Sequence, residues 1–302
     1  MGAGFSKEKD KQPDGFDTFT RSSAYQMVPH KGEREFIVGS DHREWTLTPA
    51  GKWRGDVTLS TGDQRVKAQG KNTFTIPAQA SITFKVTGDT PGPAHFSLET
   101  AGAPAETQHL MISVLPTRKR DITISSIKFD MFTQNPMSRS EIFNQVSVVS
   151  KLYLKQANVE LIDSQGYVDE MEFPLENLGD PIILGTFFLV RMKKRVGAMR
   201  NRVSLIYGWD FEEDSDPNRQ EVVRGDTFPL LGLCFVDTRR DTLRQVASTT
   251  AHELGHAFDL GHEDNDQTNI MAPGPSSTKI RFNARQIEAL NGFNPSLDTL
   301  VF

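Results

Sequence analysis

At 302 residues the chain is long enough for two domains, each with a sizeable core. A hydrophobic fraction of 37% and a formal charge of −5 describe a soluble globular protein; no basic face for general nucleic-acid binding stands out, and no apolar run is long enough to span a membrane. With a single cysteine, Cys234, an intramolecular disulfide scaffold is excluded.

Residues 1–20 are rich in Lys, Asp and Gly and are expected to form a disordered tail. They lack the apolar core of a signal peptide, so the chain is expected to be cytoplasmic or exported by a leaderless route. Gly2 with Ser6 fits an N-myristoylation pattern. The last residues, Asp298–Phe302, loosely echo the tails of bacterial proteases exported without a leader. Both matches are short.

Over 21–116 the text turns to short alternating runs broken by turn residues. Glu44–Thr48, Asp56–Ser60, Asn72–Ile76, Ser81–Val86, Ala94–Leu98 and Leu110–Val114 each alternate apolar and polar positions. This pattern predicts an all-β Ig-like sandwich without the paired cysteines of antibody domains. Such a module positions a partner domain or binds a partner or substrate surface. His95 and His109 read as ordinary strand residues.

From 117 to 302 strands and helices mix. Ile122–Phe129 reads as a strand. Ser138 with Glu141 makes a capping box, and Ile142, Val146, Val149 and Tyr153 form the apolar face of the helix that follows. Val159–Leu161 and Val203–Tyr207 read as strands, and 185–197 as a second helix. The acidic stretch Asp210–Asp216 offers oxygen ligands of the kind a structural calcium ion takes, but a solvated loop is the favoured reading. Cys234 lies in Leu233–Val236, which reads as a buried strand.

Thr242 with Gln245 makes another capping box, and Leu243, Val246, Ala247, Ala251, Leu254 and Phe258 continue it as an apolar helical stripe. This helix carries His252-Glu253-Leu254-Gly255-His256. Residues four apart share a helix face, so His252 and His256 can point at one metal ion. Glu253 lies beside them, where it can act on a water bound to the metal. A third histidine, His262, follows, and then Asn269-Ile270-Met271-Ala272-Pro273.

Together these residues resemble the metzincin clan of zinc metallopeptidases, whose pattern is a helical HExxH, a glycine turn, a third histidine and a methionine turn. The resemblance is specific over about 242–275. It implies a zinc ion held by His252, His256 and His262, Glu253 as general base, and Met271 as an apolar floor beneath the metal. It also implies an α/β zincin-like domain over 117–302, with Leu230–Leu233 either as the sheet-edge strand that pairs with an extended substrate or as an ordinary strand.

Two departures stand out. Asp259 occupies the position of the usual turn glycine, and the nearest glycine is Gly261. The turn can stay at Asp259, move to Gly261, or leave Asp259 itself as a third ligand; His262 is favoured as that ligand. The tyrosine that some members carry two residues beyond the methionine is here Pro273.

The expected activity is hydrolysis of protein or peptide substrates by a zinc-dependent endopeptidase. The alternatives are a zinc-containing binding module or inactive homologue that recognises a surface through its β-sandwich, and a hydrolase of non-protein amides such as cell-wall cross-links.

Overall fold

A computed structural model describes residues 3–7, 14–20, 22–51, 54–103, 106–129, 137–173, 182–184, 186–196, 202–208, 211–212, 224–238, 242–274 and 279–292. The described chain is largely β-sheet, with four α-helices among the described residues. It divides into two compact units: Met1–Arg118 with Lys155–Asn158 and Phe282–Phe302, and Lys119–Leu154 with Val159–Arg281.

The first unit opens with β1 (Gly4–Ser6), β2 (Phe16–Thr20), β3 (Ser23–Pro29) and β4 (Glu33–Gly39). It continues with β5 (Trp45–Pro49), β6 (Asp56–Ser60), β7 (Lys67–Gly70) and β8 (Thr73–Ile76). β9 (Ser81–Thr90), β10 (Gly92–Glu99) and β11 (Gln108–Leu115) complete the strands. They form a sheet in the order β1-β4-β9-β6 and another in the order β2-β3-β11-β10-β5-β8-β7. The alternation read from the sequence sets which side faces in: along β6, Val57 and Leu59 are buried while Asp56, Thr58 and Ser60 are exposed. Phe36, Val38, Ile82 and Phe84 of one sheet and Leu47, Ile76, Phe96 and Leu110 of the other join one apolar core.

Residues expected in a disordered tail are therefore partly strand. β1 pairs with β4, and β2 pairs with β3, both antiparallel. Their polar side chains hid them from composition, while the ladder hydrogen bonds they make come from the backbone, which composition does not report.

The second unit begins in β12 (Arg118–Phe129), followed by α1 (Arg139–Ala157), β13 (Val159–Phe173), β14 (Ile182–Ile183) and α2 (Thr186–Val196). Then come β15 (Arg202–Gly208), β16 (Phe211–Glu212), β17 (Gly225–Phe228), β18 (Leu233–Asp237) and α3 (Leu243–Ala257). The last helix, α4 (Ala284–Asn291), groups with the first unit rather than with the second, where it was expected. A five-stranded sheet runs β13-β12-β15-β18-β17, with β12, β15 and β18 parallel and β17 antiparallel at the end. On one face Phe188, Leu189 and Met192 of α2 pack with Ile206 and Phe235. α1 and α3 are tied together by the Tyr153 hydroxyl, which donates to the Ala251 carbonyl at 2.7 Å. Tyr207 of β15 meets Thr250 of α3 at 3.0 Å, which fixes α3 to the sheet.

The expected edge strand is corrected. Residues 230–232 form a turn, with Leu231 and Gly232 amides bonded to Phe228 and Pro229 carbonyls. Leu233 begins the next strand, and among the described residues the sheet ends instead on β17, just upstream. Gly232 adopts φ 67°, the left-handed conformation that lets the chain reverse there. In the acidic stretch, Asp210 and residues 213–216 lie outside the described residues, as do Gly2 and 298–302. No described helix is long and apolar enough to cross a membrane.

Candidate metal centre

Helix α3 starts as its sequence predicts. Thr242 is the N-cap; its side chain accepts from the Gln245 amide, and the Gln245 side chain accepts from the Thr242 amide. Val246, Ala247, Ala251 and Leu254 are buried, leaving His252 and His256 half-buried on one face.

The helix stops in a Schellman arrangement. The Leu260 amide donates to Gly255 O at 2.9 Å, and the Asp259 amide to His256 O at 3.0 Å. Asp259 takes the left-handed position at φ 66°. The turn thus stays at Asp259, and Gly261 does not adopt positive φ. Asp259 is not part of the histidine cluster.

The turn brings the exposed His262 back over the helix. His256 Nε2 lies 3.1 Å from His252 Nε2 and 3.1 Å from His262 Nε2. All three rings offer ligand atoms within 4.8 Å of one another. His252 Nδ1 lies 2.8 Å from Ile270 O, and His256 Nδ1 lies 2.9 Å from Leu260 O. A carbonyl only accepts, so both Nδ1 atoms carry the proton. Their Nε2 atoms then present bare lone pairs to each other. Burial lowers the pKa of His252 to about 4 and also lowers that of His256, so sharing an added proton is disfavoured. Convergent lone pairs repel unless a cation lies between them. Ligand nitrogens of a tetrahedral zinc at about 2.0–2.1 Å stand about 3.3–3.4 Å apart, close to the spacing here. The donor set fits zinc. By contrast, His95 Nε2 and His109 Nδ1, also 3.1 Å apart, suit an ordinary donor–acceptor pair between neutral rings.

The Met271 segment lies beneath this cluster. Asn269 is fully buried, and its side-chain oxygen accepts from the Met271 amide at 2.8 Å. Met271 is fully buried, and a Cβ on Gly255 would come within 2.3 Å of its sulfur. The glycine in the middle of the motif is therefore what lets the methionine sit against the helix between the two histidines. The Glu263 amide donates to Met271 O at 2.9 Å, joining the third-histidine loop to the same segment. The Lys279 ammonium donates to Ala272 O and Gly274 O.

Glu253 is buried, at 5% exposure. Burial, with Asp226 nearby, pushes its carboxyl up to about 7, while the Thr227 hydroxyl and Lys279 act in the opposite direction. Thr227 Oγ1 lies 2.6 Å from Glu253 Oε2. Thr227 is a residue the sequence reading missed. Its strand has four residues and its partner is 26 positions away, so no local pattern marks it. Cys234 is fully buried beside the same helix, 3.6 Å from Glu253 O, and burial pushes its thiol up, away from the thiolate a metal needs.

No protein-family model matches the chain. No curated protein matches it either. Among solved structures it is similar to domains 4 and 5 of the S-layer protein SbsC, at 13% identity over 33% of this chain and 44% of that one, with a TM-score of 0.21. A chaperone–substrate complex aligns at 10% identity over 74% of this chain and 43% of that one, with a TM-score of 0.31. A PapD-like domain of human CEP192 aligns at 7% identity over 32% of this chain and 83% of that one, with a TM-score of 0.18. The chain spans less than half the length of the first two, and likenesses this slight carry no argument about what it does.

Proposed function

We propose that the chain is a zinc-dependent endopeptidase, with a metzincin-like α/β catalytic domain and an Ig-like β-sandwich as accessory domain. The observation that carries this reading is the convergence of three imidazole Nε2 atoms, with His252 and His256 on the same helix as the buried Glu253 carboxyl and each with Nδ1 tied to a carbonyl, and His262 brought in by the loop that follows.

Zinc bound there supplies Lewis acidity to a scissile carbonyl and makes water more acidic at neutral pH. His252 and His256 stay neutral and hold their lone pairs on the site through the Ile270 and Leu260 carbonyls. Glu253 takes the proton from the attacking water and delivers it to the leaving amine. β17, the last described strand of its sheet, is the element against which an extended peptide would pair.

The test is cleavage of a diverse peptide library by zinc-loaded protein, with Glu253→Ala as matched control. Cuts made only by the wild type are expected, and they report side-chain preference at once. Silence from the wild type with zinc bound would move the assignment to a non-peptide amide or to a binding module.

A further inference from the structure

The end strand β17 faces α3 with two residues that meet Glu253 directly. A Cβ at Gly225 would lie 2.6 Å from Glu253 Oε1, 2.7 Å from its Cγ and 2.8 Å from Thr249 Cγ2. No side chain fits there while the carboxyl keeps its place. Two residues on, Thr227 Oγ1 lies 2.6 Å from Oε2 and 3.1 Å from the backbone oxygen of the same glutamate. The hydroxyl is anchored between β18 and α3, since it also lies 3.5 Å from Cys234 Sγ. Phe228, on the opposite side of the strand, packs edge-on against Phe235 at 6.0 Å, which sets the rotation of β17.

We infer that Thr227 and Gly225 are positioning residues for the general base: the glycine makes the space for the Glu253 carboxyl, and the threonine holds one of its oxygens in a single orientation. The inference rests on the peptidase reading for the role of Glu253, but the contacts themselves do not.

The test uses the full-length, zinc-loaded chain in four forms: wild type, Thr227→Val, Thr227→Ser and Gly225→Ala. Zinc content, kcat and KM on a cleaved peptide, and affinity for acetohydroxamate are measured for each. Acetohydroxamate chelates the metal and shares a proton with the neighbouring carboxylate, so it reports carboxylate placement without turnover. Thr227→Val is near-isosteric and lacks only the hydroxyl. We expect it to keep its zinc and its KM while kcat and hydroxamate affinity each fall about 10–100-fold, the size of a lost hydrogen bond to a charged group. Thr227→Ser should recover most of both, and Gly225→Ala should lose both with zinc retained. Thr227→Val with wild-type kcat and hydroxamate affinity would overturn the inference. So would Thr227→Ser behaving like Thr227→Val. If the wild type cuts no peptide, the peptidase reading fails by itself. The hydroxamate arm still decides the positioning role: a loss in Thr227→Val that Ser repairs upholds it, and equal affinities overturn it.

Discussion

Among single residues, the proposed chemistry turns on where protons sit. Two imidazoles give their Nδ1 protons to main-chain carbonyls, which leaves their Nε2 lone pairs facing one another with nothing to share. Removing a ligand and removing the base therefore have separate consequences. His256→Ala is expected to lose both metal and activity, read by metal analysis and peptide cleavage on one sample. Glu253→Ala is expected to keep one zinc and lose about 10²–10⁴-fold in rate, the usual share of general acid–base catalysis. A Glu253→Ala protein that cleaves at the wild-type rate would remove the glutamate from the mechanism.

At the scale of elements, the site depends on how α3 ends. Asp259 accepts the left-handed conformation at φ 66°, which glycine adopts without steric cost. Asp259→Gly should leave unfolding free energy unchanged or raise it by up to about 1 kcal/mol, while Asp259→Val should lower it by about 1–2 kcal/mol, because a β-branched residue resists positive φ. Denaturant titration of the two variants measures the difference. Gly255→Ala forces a methyl toward the Met271 sulfur, so it should cost about 1–3 kcal/mol and weaken zinc binding together. A Gly255→Ala protein with wild-type melting and zinc affinity would show that the methionine yields freely.

Elements also separate what the sequence reveals from what it hides. The cap at Thr242, the cap at Ser138, the helix-face spacing of His252 and His256, and the buried side of β6 depend on residues a few positions apart, and each is legible. The strand at the edge of the second sheet is not. An apolar run at 230–233 attracts attention, yet Leu230 is 88% exposed in a turn, and the last described strand on that side is the short, mixed Gly225–Phe228. What makes it a strand is its pairing with β18, a tertiary fact. The N-terminal strands were hidden for the same reason.

At the scale of the whole chain, the first unit is held together by contacts between its two ends. The Ala284 amide donates to Asp17 Oδ2 at 3.0 Å, and Ser113 Oγ donates to Glu288 Oε1 at 2.7 Å. Burial raises the Glu288 carboxyl to about 7, above the value near 4.3 that an unfolded chain gives it. Between those two values the folded state binds more protons than the unfolded one, so stability falls as pH rises through that window and levels off above about 7. Melting of the full chain should therefore show a pH-dependent loss over this range that Glu288→Gln reduces, with the buried Glu253 carboxyl contributing the remainder. An unchanged slope in Glu288→Gln would assign the dependence to other groups.

The most direct measurement is a zinc titration of metal-stripped protein, followed by cleavage of a peptide that the wild type cuts. Activity should return in proportion to zinc and saturate at one equivalent, and His262→Ala should neither bind that equivalent tightly nor recover activity. Cleavage that survives stripping, or a His262→Ala protein that titrates like the wild type, would contradict a zinc peptidase built on His252, His256 and His262.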